Sequence, residues 1–117
     1  MSREAFKART KAYALRVIKV VDALPRDMVS KTLGQQLLRC GTSVAANYRA
    51  AVRGKSAADF IAKMGIVEEE CDESLLWMEL LIEANRMKPA RLADLMREGG
   101  EILAVTVASI KTARRGK

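Results

Sequence analysis

An all-α fold, an antiparallel up-down-up-down four-helix bundle, is what this sequence predicts, and three observations predict it. Apolar residues recur at alternating steps of three and four through four stretches of the chain. The two prolines, Pro25 and Pro89, fall at the boundaries of those stretches. Half the residues are hydrophobic but only 4% are aromatic, so Leu, Val, Ile, Ala and Met must fill the core. Such a composition suits long helices better than strands. Four helices joined by short turns close into a bundle. At 117 residues the chain is expected to form one domain, long enough for a proper core.

The first helix is expected from Arg3 to Leu24. Phe6, Thr10, Tyr13, Val17, Val20 and Leu24 form its core stripe, widened by Ala14 and Val21. Pro25 stops it, because proline disfavours helical geometry in the residue before it. The second helix starts at Asp27, as N-cap, and runs to Arg53. Gly34 and Gly41 weaken it by about 1 kcal/mol each relative to alanine, which close approach of a neighbouring helix would offset. Gly54 ends it.

Ser56 opens the third helix, with Asp59 completing a capping box. Phe60, Met64, Val67, Cys71, Leu75, Met78 and Ile82 form its core stripe. This helix carries a second apolar surface on the opposite side, with Ala62, Ile66, Trp77, Leu80, Leu81 and Ala84 mixed among Glu69, Glu70 and Glu73. A helix apolar on both sides in so small a protein needs a second burial partner. Ile66, Trp77, Leu80 and Leu81 are therefore expected at an interface between subunits of a homo-oligomer. Pro89 sits in the first turn of the fourth helix, where it is tolerated. Leu92, Leu95, Met96, Gly99, Ile102, Leu103, Thr106, Ile110 and Ala113 form its core face, with Gly99-Gly100 as a soft point and a fraying basic tail from Arg114 to Lys117.

Composition excludes several kinds of chemistry. With no histidine there is no Ser-His or Cys-His nucleophile, no Glu-x-x-His di-iron set and no ordinary zinc site. No P-loop or GxGxxG is present. The expected protein is not an enzyme and takes no cofactor, no metal and no small-molecule substrate. Consecutive acids from Glu68 to Glu73 point in different directions on a helix and so do not converge on a cation. No apolar run reaches about 18 residues, and the N-terminus lacks a signal peptide's apolar centre, so a cytoplasmic location without membrane contact is expected. Cys40 and Cys71 lie on apolar faces and read as buried small hydrophobes rather than a disulfide.

Charge is unevenly spread. Residues 1–55 carry twelve Lys/Arg against three Asp/Glu, residues 56–88 three against eight, and the remainder six against three. That distribution fits either nucleic acid or pairing between copies of the chain. On the outer face of the second helix, Arg39, Arg49 and Arg53 are the candidate nucleic-acid-binding residues, with the last two one turn apart. Their alternative partner is the Glu69, Glu70 and Glu73 face of a neighbouring third helix. Few aromatics are available as stacking platforms, so binding would follow the backbone rather than read single-stranded bases. Along one margin of the same helix run Gln36, Ser43 and Asn47. They form either a ligand site or, the favoured reading, a buried polar network that fixes helix register.

The segment LGQQLLRCGTSVAANYRAAVRGKSAADFIAKMGIVEEECDESLLWMELL, Leu33 to Leu81, resembles a family of small bacterial four-helix-bundle proteins. They are related to those encoded in intervening sequences of large-subunit ribosomal RNA genes. The family's Gln, Arg, Ser and Asn correspond to Gln36, Arg39, Ser43 and Asn47. Where many members carry an acid followed by glycine, this chain has Ala50-Ala51, so no role of that acid is carried over. The resemblance implies a helical bundle assembling as a ring-like pentamer. A relative, the accessory variability protein of diversity-generating retroelements, is a basic pentamer that partners a reverse transcriptase and nucleic acid. A nucleic acid and a reverse transcriptase are accordingly the partners it implies.

Overall fold

A computed structural model describes residues 1–116. It contains four helices, α1 (Arg3–Asp22), α2 (Met28–Val52), α3 (Ala57–Glu83) and α4 (Pro89–Arg115). They form an antiparallel four-helix bundle, a rod of 48 × 21 × 20 Å. Each helix packs on the next in sequence, and α1 meets α4 to close the ring, with that last seam the least packed. Among the described residues no helix is long and apolar enough to cross a membrane. The Lys117 end of the expected fraying tail lies outside the described residues, while α4 itself runs on to Arg115.

Local chemistry sets the boundaries. Ser2 Oγ accepts from the Ala5 N–H, Asp27 Oδ1 from Ser30 N–H, and Ser56 Oγ from Asp59 N–H, so three helices begin on side-chain caps. At Asp27 the Ser30 N–H and hydroxyl hold the carboxyl down to about 2. The expected capping box at Ser56 closes differently, because Asp59 accepts from Lys55 N–H at 3.4 Å. α1 stops at Asp22, two residues short of expectation: Ala23 caps it, and Leu24 N–H turns back to the Val21 carbonyl. Asn85, at φ 59°, takes the left-handed conformation that ends α3.

The core follows the expected stripes, with Tyr13, Val17, Leu37, Val44, Met64, Val67, Met78, Leu92 and Ile102 fully buried. Two glycines are demanded by close packing. A Cβ on Gly41 would lie 2.8 Å from both Val17 methyls, and one on Gly99 would lie 2.8 Å from Tyr13 Oη. Leu81, expected on an outer surface, is instead fully buried within the bundle. It lies at the edge of the α3 core stripe, where the apolar arc is wider than a strict step of three and four.

The buried polar network exists, but on other residues. Tyr13 Oη lies 2.8 Å from Ser74 Oγ, which donates to the Cys71 carbonyl, and Cys71 Sγ donates to the Gly99 carbonyl. Gln36, Ser43 and Asn47 are only half-buried, and no hydrogen bond links their side chains among the described residues. Asn47 Nδ2 donates to the Ser43 carbonyl of its own helix, and Gln36 Oε1 accepts from Arg39. A polar side chain on a helix margin satisfies itself locally at less cost than by ordering a partner across a groove.

Candidate functional site

Side chains of opposite charge meet along the α2–α3 groove. Arg39 donates to Glu70 at 3.2 Å and to Glu73 at 3.0 Å, and also to Gln36 Oε1. Two of the three acids on this face of α3, Glu70 and Glu73, are thus engaged within the same chain rather than by another copy. The guanidinium is half-exposed, so solvent screens the pair and it contributes little to stability. Arg39 is committed here, whereas Arg49 and Arg53 stand exposed with no ion pair among the described residues.

Cys40, Glu70 and Glu73 bring three donor atoms within 4.8 Å of one another. Burial pushes the Cys40 thiol up to about 11, and Arg39 is already paired with both carboxylates. A divalent cation would have to displace that arginine and deprotonate the thiol, so the trio is a poor metal site. Trp77 is half-buried beside this cluster. Its indole Nε1 adjoins the Cys40 thiol and opposes the effect of burial there, yet no well-formed hydrogen bond joins the two.

The concentration of positive charge lies elsewhere. In an antiparallel bundle the start of α1, the end of α2, the start of α3 and the end of α4 share one end of the rod. Residues 1–11, 45–63 and 106–116, which build that end, carry eleven Lys/Arg against two Asp/Glu; all other residues carry ten against twelve. Arg49 and Arg53 belong to it, beside Arg3, Lys7 and Lys55. Arg9 is drawn off toward α4, where it grips Glu98 at 2.6 Å and Glu101 at 2.6 Å. The Glu98 carboxyl is held below its usual range by its hydrogen bonds from Arg9.

An open cavity of about 820 Å³ sits at this same end, between Arg3, Phe6, Tyr48, Lys55, Phe60 and Ser109. Phe6 and Tyr48 meet edge to face at 4.7 Å, and the Arg3 guanidinium stands 4.9 Å over the Phe60 ring. Apolar side chains are also exposed on the flanks. Ile66, Leu76 and Leu80 are exposed on α3, and Leu15, at 54% exposed, and Ile18 on α1. Of the four residues expected at a subunit interface, Ile66 and Leu80 are exposed, Trp77 is half-buried and Leu81 is buried.

Reading the helices one at a time missed the basic end, because its members come from four separate stretches. The signal was present: summing charge over alternate helix termini, in antiparallel order, isolates it. Leu15 and Ile18 lie opposite the strongest stripe of α1, outside its expected core, and Leu76 lies one turn before Leu80 on the outer face of α3.

Three comparisons bear on this architecture. A family model described as 23S rRNA-intervening sequence protein matches residues 5–108. The crystal structure of a protein with unknown function from the S23 ribosomal protein family of Bacteroides thetaiotaomicron superposes with a TM-score of 0.88. Sequence identity is 30%, over 95% of this chain and 99% of that one. No curated protein matches the sequence.

Proposed function

Because the chain belongs to the 23S rRNA-intervening sequence protein family, we propose that it is a non-enzymatic accessory or scaffold protein that binds nucleic acid through the phosphate backbone. The observation that carries this reading is the basic end, with eleven Lys/Arg against two Asp/Glu. Arg49 and Arg53 are its phosphate contacts on α2; Arg39, held by Glu70 and Glu73, is not one of them. The protein works as a homo-oligomer in the cytoplasm, with a pentamer as the assembly that the resemblance implies and a reverse transcriptase as the protein partner it adds. Repetition of the basic end around an assembly turns weak contacts into avidity.

A second reading, a purely structural homo-oligomer acting through a protein partner, is favoured by the apolar residues exposed on α1 and α3. Titration of blunt duplex DNA and duplex RNA at 50 and 200 mM salt separates the two. Backbone binding predicts affinity that falls steeply with salt. Arg49→Ser with Arg53→Ser should flatten that slope and leave the assembly mass unchanged. Duplex binding that is absent, or indifferent to both substitutions, would leave the structural reading.

A further inference from the structure

The open cavity at the basic end has a composition unlike the rest of the protein. Three of the chain's five aromatic residues, Phe6, Tyr48 and Phe60, line it. Tyr48 is 3% exposed, and among the described residues its hydroxyl has no hydrogen-bond partner. The hydroxyl itself is not sealed from solvent, so water or the edge of a ligand entering the cavity can pair with it.

Cations and helix geometry add the second half. Arg3 and Lys55 stand on the rim, and the first turn of α3 adjoins them through Ser56 and Ala57. Ser56 Oγ is spent on Asp59 N–H, so the Ala57 and Ala58 N–H groups keep the free donor positions of a helix N-terminus. Among the described residues no side-chain carboxylate lines the cavity; of the two acids at this end, Asp59 is turned to the Lys55 N–H, and Glu4 lies outside the lining. A volume of about 820 Å³ is ample for one nucleotide.

We infer that this cavity takes an unpaired terminal nucleotide, with its base against Phe60 and Arg3, a base edge on the Tyr48 hydroxyl, and its phosphate on Lys55 and the start of α3. Bases stack on aromatic rings and on guanidinium planes, and the Arg3–Phe60 pair presents both. An alkyl carboxylate would satisfy the cations but offer no flat face to the Phe60 ring and the Arg3 guanidinium, so the aromatic side of the wall selects a flat ligand with a hydrogen-bonding edge. The inference rests on the nucleic-acid reading above for its ligand class, and it adds a preference for single-stranded ends.

Calorimetric titration of the full chain with adenosine and uridine 5′-monophosphates, a 5′-phosphorylated tetranucleotide, inorganic phosphate and decanoate tests it. Expected are nucleotide binding tighter than inorganic phosphate and a tetranucleotide that binds tighter when phosphorylated. Tyr48→Phe should weaken the nucleotides by about fivefold to tenfold with an unchanged melt. Phe60→Leu, which keeps an apolar wall, should weaken them as well while sparing inorganic phosphate. Nucleotides that bind no better than inorganic phosphate, a Tyr48→Phe protein that binds normally, or decanoate binding in place of nucleotides would each overturn the inference. Blunt duplex binding serves as the separate control. If it depends on Arg49 and Arg53 while nucleotides fail, the cavity inference alone falls. If nucleotides bind and duplex does not, the backbone reading alone falls.

Discussion

Tyr13 Oη lies 2.8 Å from Ser74 Oγ, a hydrogen bond that crosses the bundle between helices that are not neighbours. Ser74 donates onward to the Cys71 carbonyl at 2.6 Å, so Tyr13 must be the donor to Ser74. Burial raises the phenol above its ordinary pKa and keeps that proton in place.

The direction of donation makes the two deletions unequal. Ser74→Ala leaves a buried phenol donor without an acceptor and should cost about 1–3 kcal/mol. Tyr13→Phe leaves a hydroxyl that still donates, and should cost less, about 1 kcal/mol. Denaturant melts of the two variants check the order; equal losses would contradict the assigned direction.

The glycines of α2 and α4 should divide by sign. Gly41→Ala and Gly99→Ala force a methyl to within 2.8 Å of Val17 and of Tyr13 Oη and should destabilise by about 1–3 kcal/mol. Gly100→Ala meets nothing within 4 Å and should stabilise by roughly 1 kcal/mol through helix propensity. Thermal melts of the three variants, together with Tyr13→Phe/Gly99→Ala, test the close approach. The double variant should lose less than the sum of its parts.

Acid should loosen the start of α2. Asp27 sits at about 2 in the folded chain, below its ordinary value of 3.8. A carboxyl depressed on folding contributes stability that is complete above its unfolded pKa and is lost as pH falls through the folded one. The window is therefore pH 4 to 2, and Glu98, depressed by Arg9, acts in the same direction. Asp27→Asn, still a competent cap, should leave the neutral-pH melt nearly unchanged and flatten the acid limb.

If another copy covers the outer face of α3, Leu80→Glu should dissociate the assembly, since it places a charge in a desolvated contact. Leu80 is the better probe than Trp77, because a charge in place of the half-buried Trp77, beside the buried Cys40, would also disturb the monomer. Light scattering on a sizing column should give several times the monomer mass for the wild type, and one monomer for Leu80→Glu. A wild type that runs as a monomer at micromolar concentration would remove the interface.

The helices were legible because their signals are local. Ser56 and Asp27 cap where expected, Pro89 opens α4, and Gly41 sits against Val17 as a glycine in a close-packed helix should. What sequence could not supply was pairing across the bundle. Gln36 and Asn47 have the residue types of a buried network, yet each closes its bonds on its own helix. Tyr13 and Ser74, sixty-one positions apart, make the real one. Neither stands out alone, since tyrosine and serine on a core stripe can each be apolar filler or hydrogen-bond partner, and only their facing register decides. The ion pairs of Arg39 were illegible for the same reason: its carboxylate partners lie one helix away, at a register that the periodicity does not fix.

With its cations gathered at one end of a 48 Å rod, the protein is an electric dipole as well as a cation. At physiological ionic strength charges are screened over about 8 Å, far less than the rod's length. The two ends are therefore electrostatically deaf to each other, and a polyanion exerts a torque that turns the rod before contact. On the proposed nucleic-acid reading, arrival is end-first, and the orientation is set in solution rather than after docking. Charge changes at the far end, such as Lys88 or Arg91, should leave the encounter rate untouched, while the same changes at Arg53 or Lys55 should slow it.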